Sequence, residues 1–137
     1  MSTDIVNYET LLVTARQQPE PQKLLFVFLK TALPDDHTPE EARRFAEGQG
    51  GALVPVFRVG LIPEQLTTFA DLVMEADAMG EEWHMVLVAA LDGTGGQPPT
   101  DDKVEEWLGI MQKTVEVGGN VGQYLAYNRD GEPVHFG

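Results

Sequence analysis

Two short runs of the sequence, residues 24–29 and 85–91, consist entirely of apolar side chains. Each run has the length of a β-strand, and both are far shorter than the roughly 20 apolar residues that a membrane-spanning helix needs. Because successive residues of a strand point to opposite faces, an all-apolar strand must be covered on both faces. The two runs therefore predict two central strands in a sheet that other elements enclose.

Helical and extended patterns alternate along the rest of the chain. We predict helices at residues 7–18, 39–47, 63–76 and 101–117, and strands at residues 23–30, 52–59, 83–91, 121–127 and 133–136. This order, α-β-α-β-α-β-α-β-β, predicts a single α/β domain over residues 1–137, with four helices and a single mixed sheet of about five strands. Strands separated by helices are expected to pair in parallel, and the last two to form a C-terminal antiparallel hairpin. The alternative is a rearranged α+β sheet with its helices on one face.

Particular residues refine this outline. Pro55 lies inside the second predicted strand, and proline has no N–H to donate to a neighbouring strand, so this strand is expected at an edge or with a bulge. Pro63 is expected at the first position of the third helix. In the fourth helix, Trp107 is expected to face inward with the apolar residues at helical spacing around it.

The chain is strongly acidic, with a net charge of −13, and the charge is unevenly placed. Between Arg58 and Lys103 there is no lysine or arginine, while acidic residues recur throughout that stretch. Such a surface repels phosphate backbones and anionic lipid headgroups, so we expect no nucleic-acid partner and no membrane partner. A basic protein partner is compatible with it, and so is the simpler interpretation that the charge maintains solubility. No basic segment followed by an apolar stretch opens the chain, so the expected location is cytoplasmic.

The residue types that are missing exclude several chemistries. The absence of cysteine excludes thiol nucleophiles, disulfide exchange and cysteine-ligated zinc or iron–sulfur centres. The only serine is Ser2, next to the N terminus. A hydrolase or isomerase would therefore have to combine a histidine, such as His37 or His84, with carboxylates in a concave site. These exclusions favour a non-enzymatic domain and leave the histidine-based enzyme as a third hypothesis behind the two that follow.

A glycine-rich loop follows the third predicted strand and consists of Asp92, Gly93, Thr94, Gly95 and Gly96. In open α/β sheets, ligands bind beyond the carboxyl ends of the strands, and glycines let an anion approach the N–H groups at a helix N terminus. The loop has neither a Walker lysine nor a complete G-x-G-x-x-G pattern, and Asp101 and Asp102 already place negative charge at the next helix. The loop is either a small-molecule or anion site or a plain connector.

Asp35, Asp36 and His37 form the one sequence cluster with the side-chain chemistry of a metal site. Carboxylate oxygens suit hard cations, and an imidazole suits a transition metal. Three adjacent residues rarely point at one ion, however, and no further ligands are spaced to complete a coordination sphere. We therefore expect a solvated loop here, with no metal and no cofactor.

Two surfaces are candidates for protein contacts. The outer face of the third predicted helix carries Glu64, Asp71 and Glu75. The C-terminal hairpin carries Tyr127 and Phe136, and an open hairpin edge with aromatic side chains can recruit a partner strand. Core packing is the alternative for the aromatic residues. The leading hypothesis is a non-enzymatic interaction or regulatory domain that contacts a partner protein or a second copy of itself.

The sequence also resembles known families. Residues 4–9, 24–28, 48–51 and 130–133, with the sequences DIVNYE, LLFVF, GQGG and DGEP, resemble a family of small proteobacterial proteins of unknown function that are often labelled "ribonucleotide reductase subunit alpha". The activity that this label implies needs a radical-bearing cysteine and a large barrel, so the sequence excludes it. Residues 53–57, LVPVF, and the helix that follows are similar to SseB-like domains of the enhanced serine sensitivity family. That resemblance implies a small α/β domain without an established enzymatic activity.

Overall fold

The computed structural model describes residues 8–33, 37–46 and 52–134. Within these residues the helices are α1 (Tyr8–Arg16), α2 (Pro39–Ala46), α3 (Phe69–Asp77) and α4 (Asp101–Glu116), and the strands are β1 (Gln22–Ala32), β2 (Ala52–Leu61), β3 (Met85–Asp92) and β4 (Leu125–Asn128). Single turns of 3-10 helix lie at Pro63–Gln65 and Val121–Gln123. The helices and strands follow the predicted order as far as β4.

The described strands form one sheet in the order β2-β1-β3-β4, and every neighbouring pair is antiparallel. The α/β class and the four helices are confirmed, whereas the predicted parallel pairing is wrong. A helix between two strands does not by itself carry the chain to the other end of the sheet. The connections that contain α2 and α4 start and finish at the same end, so the strands that they join are antiparallel. β2 and β3 do run parallel to each other, but β1 lies between them.

The two apolar runs form the central strands, as predicted. The side chains of residues 24–29 are at most 2% exposed, because helices cover both faces of β1. One face packs against α1 and α3, and the other packs against α4. Alternation along β1 divides the core accordingly, so that Phe26 and Phe28 face α1 and α3 while Val27 and Leu29 face α4. The alternative of a sheet with helices on one face is therefore wrong.

Pro55 has both of the properties predicted for it. Within the described part of the chain β2 pairs only with β1, so β2 is an edge strand. The register shifts between Phe28 and Leu29, whose partners are Phe57 and Pro55, so Val56 is an extra residue in β2. The edge position and the bulge together accommodate the missing N–H of Pro55.

The fifth predicted strand is not confirmed. After β4 the chain turns and returns beside it, where the N–H of Val134 donates a hydrogen bond of 2.9 Å to the carbonyl of Ala126. Pro133 forms a single isolated bridge with Tyr127. Phe136 and the end of the predicted strand lie outside the described residues.

The third helix begins later than predicted. Pro63 opens only one 3-10 turn, and α3 begins after Thr68, whose hydroxyl accepts a hydrogen bond of 3.1 Å from the N–H of Asp71. Between these two starts, Arg16 of α1 donates hydrogen bonds to the carbonyls of Pro63 (3.0 Å) and Leu66 (2.9 Å). The sequence therefore contains two signals for the start of a helix. The helical conformation is interrupted between them, and the contact with α1 supplies hydrogen-bond donors to the carbonyls there.

Trp107 does not face inward as predicted, because its side chain is 41% exposed. The buried stripe of α4 consists of Val104, Leu108, Met111 and Val115, which recur at intervals of three and four residues. Trp107 lies at the margin of that stripe. This position leaves part of the indole on the surface next to the sheet.

Tyr8, the first residue of α1, packs in the core without a partner for its hydroxyl. The side chain is 1% exposed and makes edge-on contacts with the rings of Phe69 and Tyr127. Its hydroxyl has no hydrogen-bond partner among the described residues. A buried polar group without a partner destabilises the folded state. Burial also raises the pKa of Tyr8 to about 12.

The Tyr8→Phe substitution is therefore expected to raise the free energy of unfolding by about 1 kcal/mol at pH 7. In the wild type, Tyr8 is protonated in both the folded and the unfolded state below pH 10, so its ionisation does not affect the free energy of unfolding there. Between about pH 10 and 12 only the unfolded chain ionises, and the free energy of unfolding falls. Phenylalanine does not ionise, so the difference in free energy of unfolding between the variant and the wild type is expected to grow above pH 10. Urea denaturation at pH 7 and pH 11 measures both effects, and a less stable variant at pH 7 would contradict the expectation.

Candidate functional site

The glycine-rich loop is a tight turn that follows Asp92, the last residue of β3. Thr94 and Gln97 exchange two backbone hydrogen bonds of 3.0 Å. Between them, Gly95 and Gly96 have φ values of +59° and +79°, which glycine adopts without strain and which a type I′ turn requires. The turn itself therefore accounts for these two glycines.

The N–H groups of Gly93, Thr94 and Gly96 already have acceptors within the chain. Gly93 donates a hydrogen bond of 2.8 Å to the carbonyl of Pro21, and Gly96 donates one of 2.8 Å to the carboxylate of Glu20. These contacts join the loop to the connection between α1 and β1. A bound anion would meet the Glu20 carboxylate at the Gly96 N–H, so the geometry adds no support to a ligand site at residues 92–96.

Of the candidate metal ligands and catalytic histidines, the structure describes His37 and His84. His37 is exposed, and Asp35 and Asp36 lie outside the described residues. Among the residues described, no group of three or more histidine, aspartate and glutamate side chains is placed to share a metal ion. The Nδ1 atom of His84 accepts a hydrogen bond of 2.9 Å from the N–H of Thr31 in β1. This bond gives His84 a structural contact at one end of the sheet.

Tyr127, a predicted interaction residue, belongs to the core. Its side chain is 1% exposed, and its ring packs against those of Tyr8 and Phe69. The core-packing alternative therefore holds for Tyr127. Phe136, the second aromatic candidate of the hairpin, lies outside the described residues.

The three acidic candidates are all exposed, although Glu64 lies outside the helix on which it was predicted. Glu64 lies in the 3-10 turn before α3, Asp71 lies in the first turn of α3, and Glu75 lies one turn further along. Asp71 accepts a hydrogen bond of 2.5 Å from the hydroxyl of Thr67, which engages part of its carboxylate at the helix start. Glu75 differs from the other two because it lines a groove.

This groove, the α3 groove, is an open cavity of about 250 Å³ between α3 and β2. Its lining is almost entirely apolar. The apolar side chains come from β1 and β2 and from α3 and the residues after it, and they are Phe28, Phe57, Val59, Leu61, Leu72, Ala76 and Met79. Glu75 adds a carboxylate to the lining. The arrangement suits an apolar surface that carries positive charge beside it.

Two exposed methionines lie on α3 and just after it, and one of them, Met79, lines the groove. Met74 is 69% exposed and Met79 is 62% exposed. The methionine side chain is flexible and polarisable, so it adapts to partners of irregular shape. Neither methionine stood out in the sequence, although Met74 directly precedes the candidate residue Glu75.

Among the described residues that line the groove, the one basic side chain is directed away from Glu75. Arg58 contributes to the lining, but its guanidinium donates hydrogen bonds to Glu105 (2.8 Å) and Gln112 (3.0 Å) of α4. α4 packs on the other face of the sheet, so the positive charge of Arg58 lies away from the groove. Residues 59–102 contain no lysine or arginine. The α3 groove therefore combines apolar walls with the carboxylate of Glu75.

A cluster at the end of α3, which the sequence patterns did not reveal, holds the helix in place. Asp77 accepts hydrogen bonds from Arg129 (2.8 and 3.0 Å) and from the indole N–H of Trp83 (3.0 Å). The Arg129 guanidinium also lies 4.5 Å from the centre of the Trp83 ring. The hydrogen bonds from Arg129 lower the pKa of Asp77, and the same bonds raise the pKa of Arg129. The cluster joins α3 to the turn after β4 and so positions the groove.

Comparisons with protein-family models, with curated proteins and with solved structures find no match. No described helix is long and apolar enough to cross a membrane, and the longest, α4, has 16 residues. The α3 groove and the charge around it are therefore the observations from which a function can be argued.

Proposed function

We propose that the chain is a non-enzymatic protein-interaction domain, and that the α3 groove binds a basic amphipathic segment of a partner protein. One observation carries the proposal. An open apolar groove has the exposed side chain of Met79 in its lining and Glu75 beside it, and the guanidinium of Arg58, the cationic residue of that lining, is held by Glu105 and Gln112 of α4.

The two parts of the groove support different parts of the binding. Apolar side chains of the partner would pack against Phe57, Leu61 and Met79. Each Å² of apolar surface buried in this way would stabilise the complex by about 25 cal/mol. Lysine or arginine side chains beside them would meet Glu75. The net charge of −13 attracts a basic segment from a distance and speeds its association, and it disfavours the phosphates of nucleic acids.

The test uses a fluorescently labelled amphipathic peptide of leucine and lysine as the probe, with affinity measured by anisotropy. Met79→Ala removes an exposed apolar side chain from the groove and is expected to weaken binding about tenfold. Glu75→Gln removes one carboxylate and is expected to weaken binding about threefold at low salt. The effect of Glu75→Gln should shrink as salt is added, because salt screens exposed charges.

Matched control variants lie on α4 and just after it, on the other face of the sheet. Glu106→Gln removes the same charge from an exposed position, and Val117→Ala shortens an apolar side chain that is 63% exposed. Both are expected to bind the peptide with wild-type affinity. Unchanged binding by Met79→Ala, or an equal loss in the two control variants, would overturn the proposal.

A further inference from the structure

β4 covers only part of β3. Its four residues pair with residues 85–88, whereas β1 pairs with the whole of β3. Within the part of the chain that the structure describes, residues 89–92 therefore have a neighbouring strand on one side only. The chain does not extend β4 along them, because Val121–Gln123 forms a 3-10 turn instead.

The backbone groups of Ala90 and Asp92 point towards this open side. The N–H of Gly93 donates a hydrogen bond to the carbonyl of Pro21, the residue directly before β1, and so points towards β1. In an antiparallel ladder, the N–H and C=O of one residue point to the same side, and those of the next residue point to the opposite side. Leu91 and Ala89, two and four residues before Gly93, therefore bond to β1. Ala90 and Asp92 present their N–H and C=O groups to the open edge. Both residues are exposed.

A cavity of about 550 Å³, the edge slot, runs along these residues. Leu11 of α1 lines it from one face of the sheet, and Trp107 and Met111 of α4 line it from the other. Tyr124, just before β4, also contributes. The slot is therefore flanked from both faces. Its four open strand residues extend over about 13 Å, which matches a four-residue stretch of an added strand.

The face of the slot towards α1 carries polar side chains among small apolar ones, and one carboxylate, that of Asp92. Ala90 and Asp92 share this face with Val88, because alternate residues of a strand lie on the same side. A recess of about 250 Å³ lies there, lined by Gln18, Gln22, Ala90 and Asp92 among others. The carboxylate of Asp92 accepts a hydrogen bond from the amide of Gln22. The small side chain of Ala90 leaves room for a longer one opposite it.

The face of the slot towards α4 is apolar. Leu91 lies on this face with the core that α4 covers, and Trp107 and Tyr124 line the cavity beside it. Side chains of an added strand alternate between the two faces in the same way as those of β3. The two faces therefore select a strand in which apolar residues alternate with basic ones.

We propose that the edge slot binds an extended basic segment of a partner protein as an added strand next to β3. Backbone hydrogen bonds to Ala90 and Asp92 hold the segment, its lysine or arginine side chains face Asp92, and its apolar side chains face Trp107. This proposal does not rest on the α3 groove, since it involves other residues at another edge of the sheet.

A second copy of this chain fits the slot poorly. Two copies could pair only along their four open residues, because β4 of each copy occupies the next positions. The pairing would also join two molecules that each carry a net charge of −13. Charge complementarity therefore favours a basic partner.

Amide hydrogen exchange, followed by NMR, tests the proposal on the full chain. The probe is a hexapeptide of alternating valine and lysine with blocked ends, at millimolar concentration. In the free protein, the N–H groups of Ala90 and Asp92 are expected to exchange fast and those of Ala89 and Leu91 slowly. The peptide is expected to slow Ala90 and Asp92 about tenfold or more. Protection of Ala90 and Asp92 in the dilute free protein would overturn the proposal, because the chain itself or a second copy would then fill the slot.

Variants and control peptides test each part of the contact. Ala90→Pro removes an N–H that faces the open edge, where proline is tolerated, and is expected to weaken peptide binding at least tenfold. Trp107→Ala tests the apolar face of the slot and is expected to weaken peptide binding about fivefold. Glu75→Gln, in the α3 groove, is expected to leave the protection of Ala90 and Asp92 by the peptide unchanged. Equal binding of a valine–glutamate hexapeptide, or unchanged binding by both slot variants, would overturn the proposal.

Discussion

The Trp83→Ala substitution is expected to lower the free energy of unfolding by about 4 kcal/mol. Trp83 is 1% exposed, and its ring packs edge-on against Phe28 at 5.0 Å between ring centres. Its indole N–H donates a hydrogen bond to Asp77, and the Arg129 guanidinium lies over the ring. Alanine would leave a cavity in the core and would remove the aromatic side chain that links α3 to the turn after β4.

Urea denaturation followed by circular dichroism measures this loss, and Trp107→Ala is the matched control. Both variants remove one indole, but Trp107 is 41% exposed and lies at the margin of the buried stripe of α4. The control is expected to lose about 1 kcal/mol. Equal losses in the two variants would show that the cluster around Trp83 contributes little beyond ordinary surface packing.

Gly93→Ala is expected to destabilise the fold by about 3 kcal/mol. A Cβ atom at this position would overlap the carbonyl oxygen of Gln97 and would lie 2.8 Å from that of Pro21. Both are backbone atoms that form the turn after β3, so the strand end or the turn must shift. Thermal and urea denaturation report the loss directly.

Gly95→Ala provides the comparison within the same loop. Its φ of +59° is strained for alanine, but a Cβ atom there would meet no atom within 4 Å. The expected loss is therefore only about 1 kcal/mol. If Gly95→Ala proved as destabilising as Gly93→Ala, the close approach of the backbone at Gly93 would not be the reason for glycine there.

The parts of the fold that depend on burial were predictable from the sequence. All-apolar runs identify β1 and β3 as central strands, and Pro55 identifies β2 as an edge strand with a bulge. The direction of the strands was not predictable, because the apolar pattern specifies which faces are buried and not which way the chain runs. The start of α3 was ambiguous for a different reason, since Pro63 and Thr68 both resemble the first residues of a helix.

The candidate sites were predictable only in part. The acidic residues of α3 stand out in the sequence, but the α3 groove exists only once Leu61 of β2 and Met79 lie beside the helix. The edge slot depends on the length of β4. A strand over residues 121–127, as predicted, would continue the ladder along β3, whereas the observed 3-10 turn at Val121–Gln123 leaves Ala90 without a strand neighbour on that side in the described structure.

The central place of β1 in the sheet has a consequence for the order of folding. The partners of β1 in β2 begin at Ala52, whereas its partners in β3 begin only at Met85. Pairing β1 with β2 therefore closes the shorter loop and loses less chain entropy. The loop that joins Val88 of β3 to Leu125 of β4 is also shorter than the one that joins Leu29 of β1 to Met85 of β3, so β3 is expected to pair with β4 before it joins β1. The edge slot would then take its shape only when the two halves of the sheet meet, because Leu11 of α1 lines it.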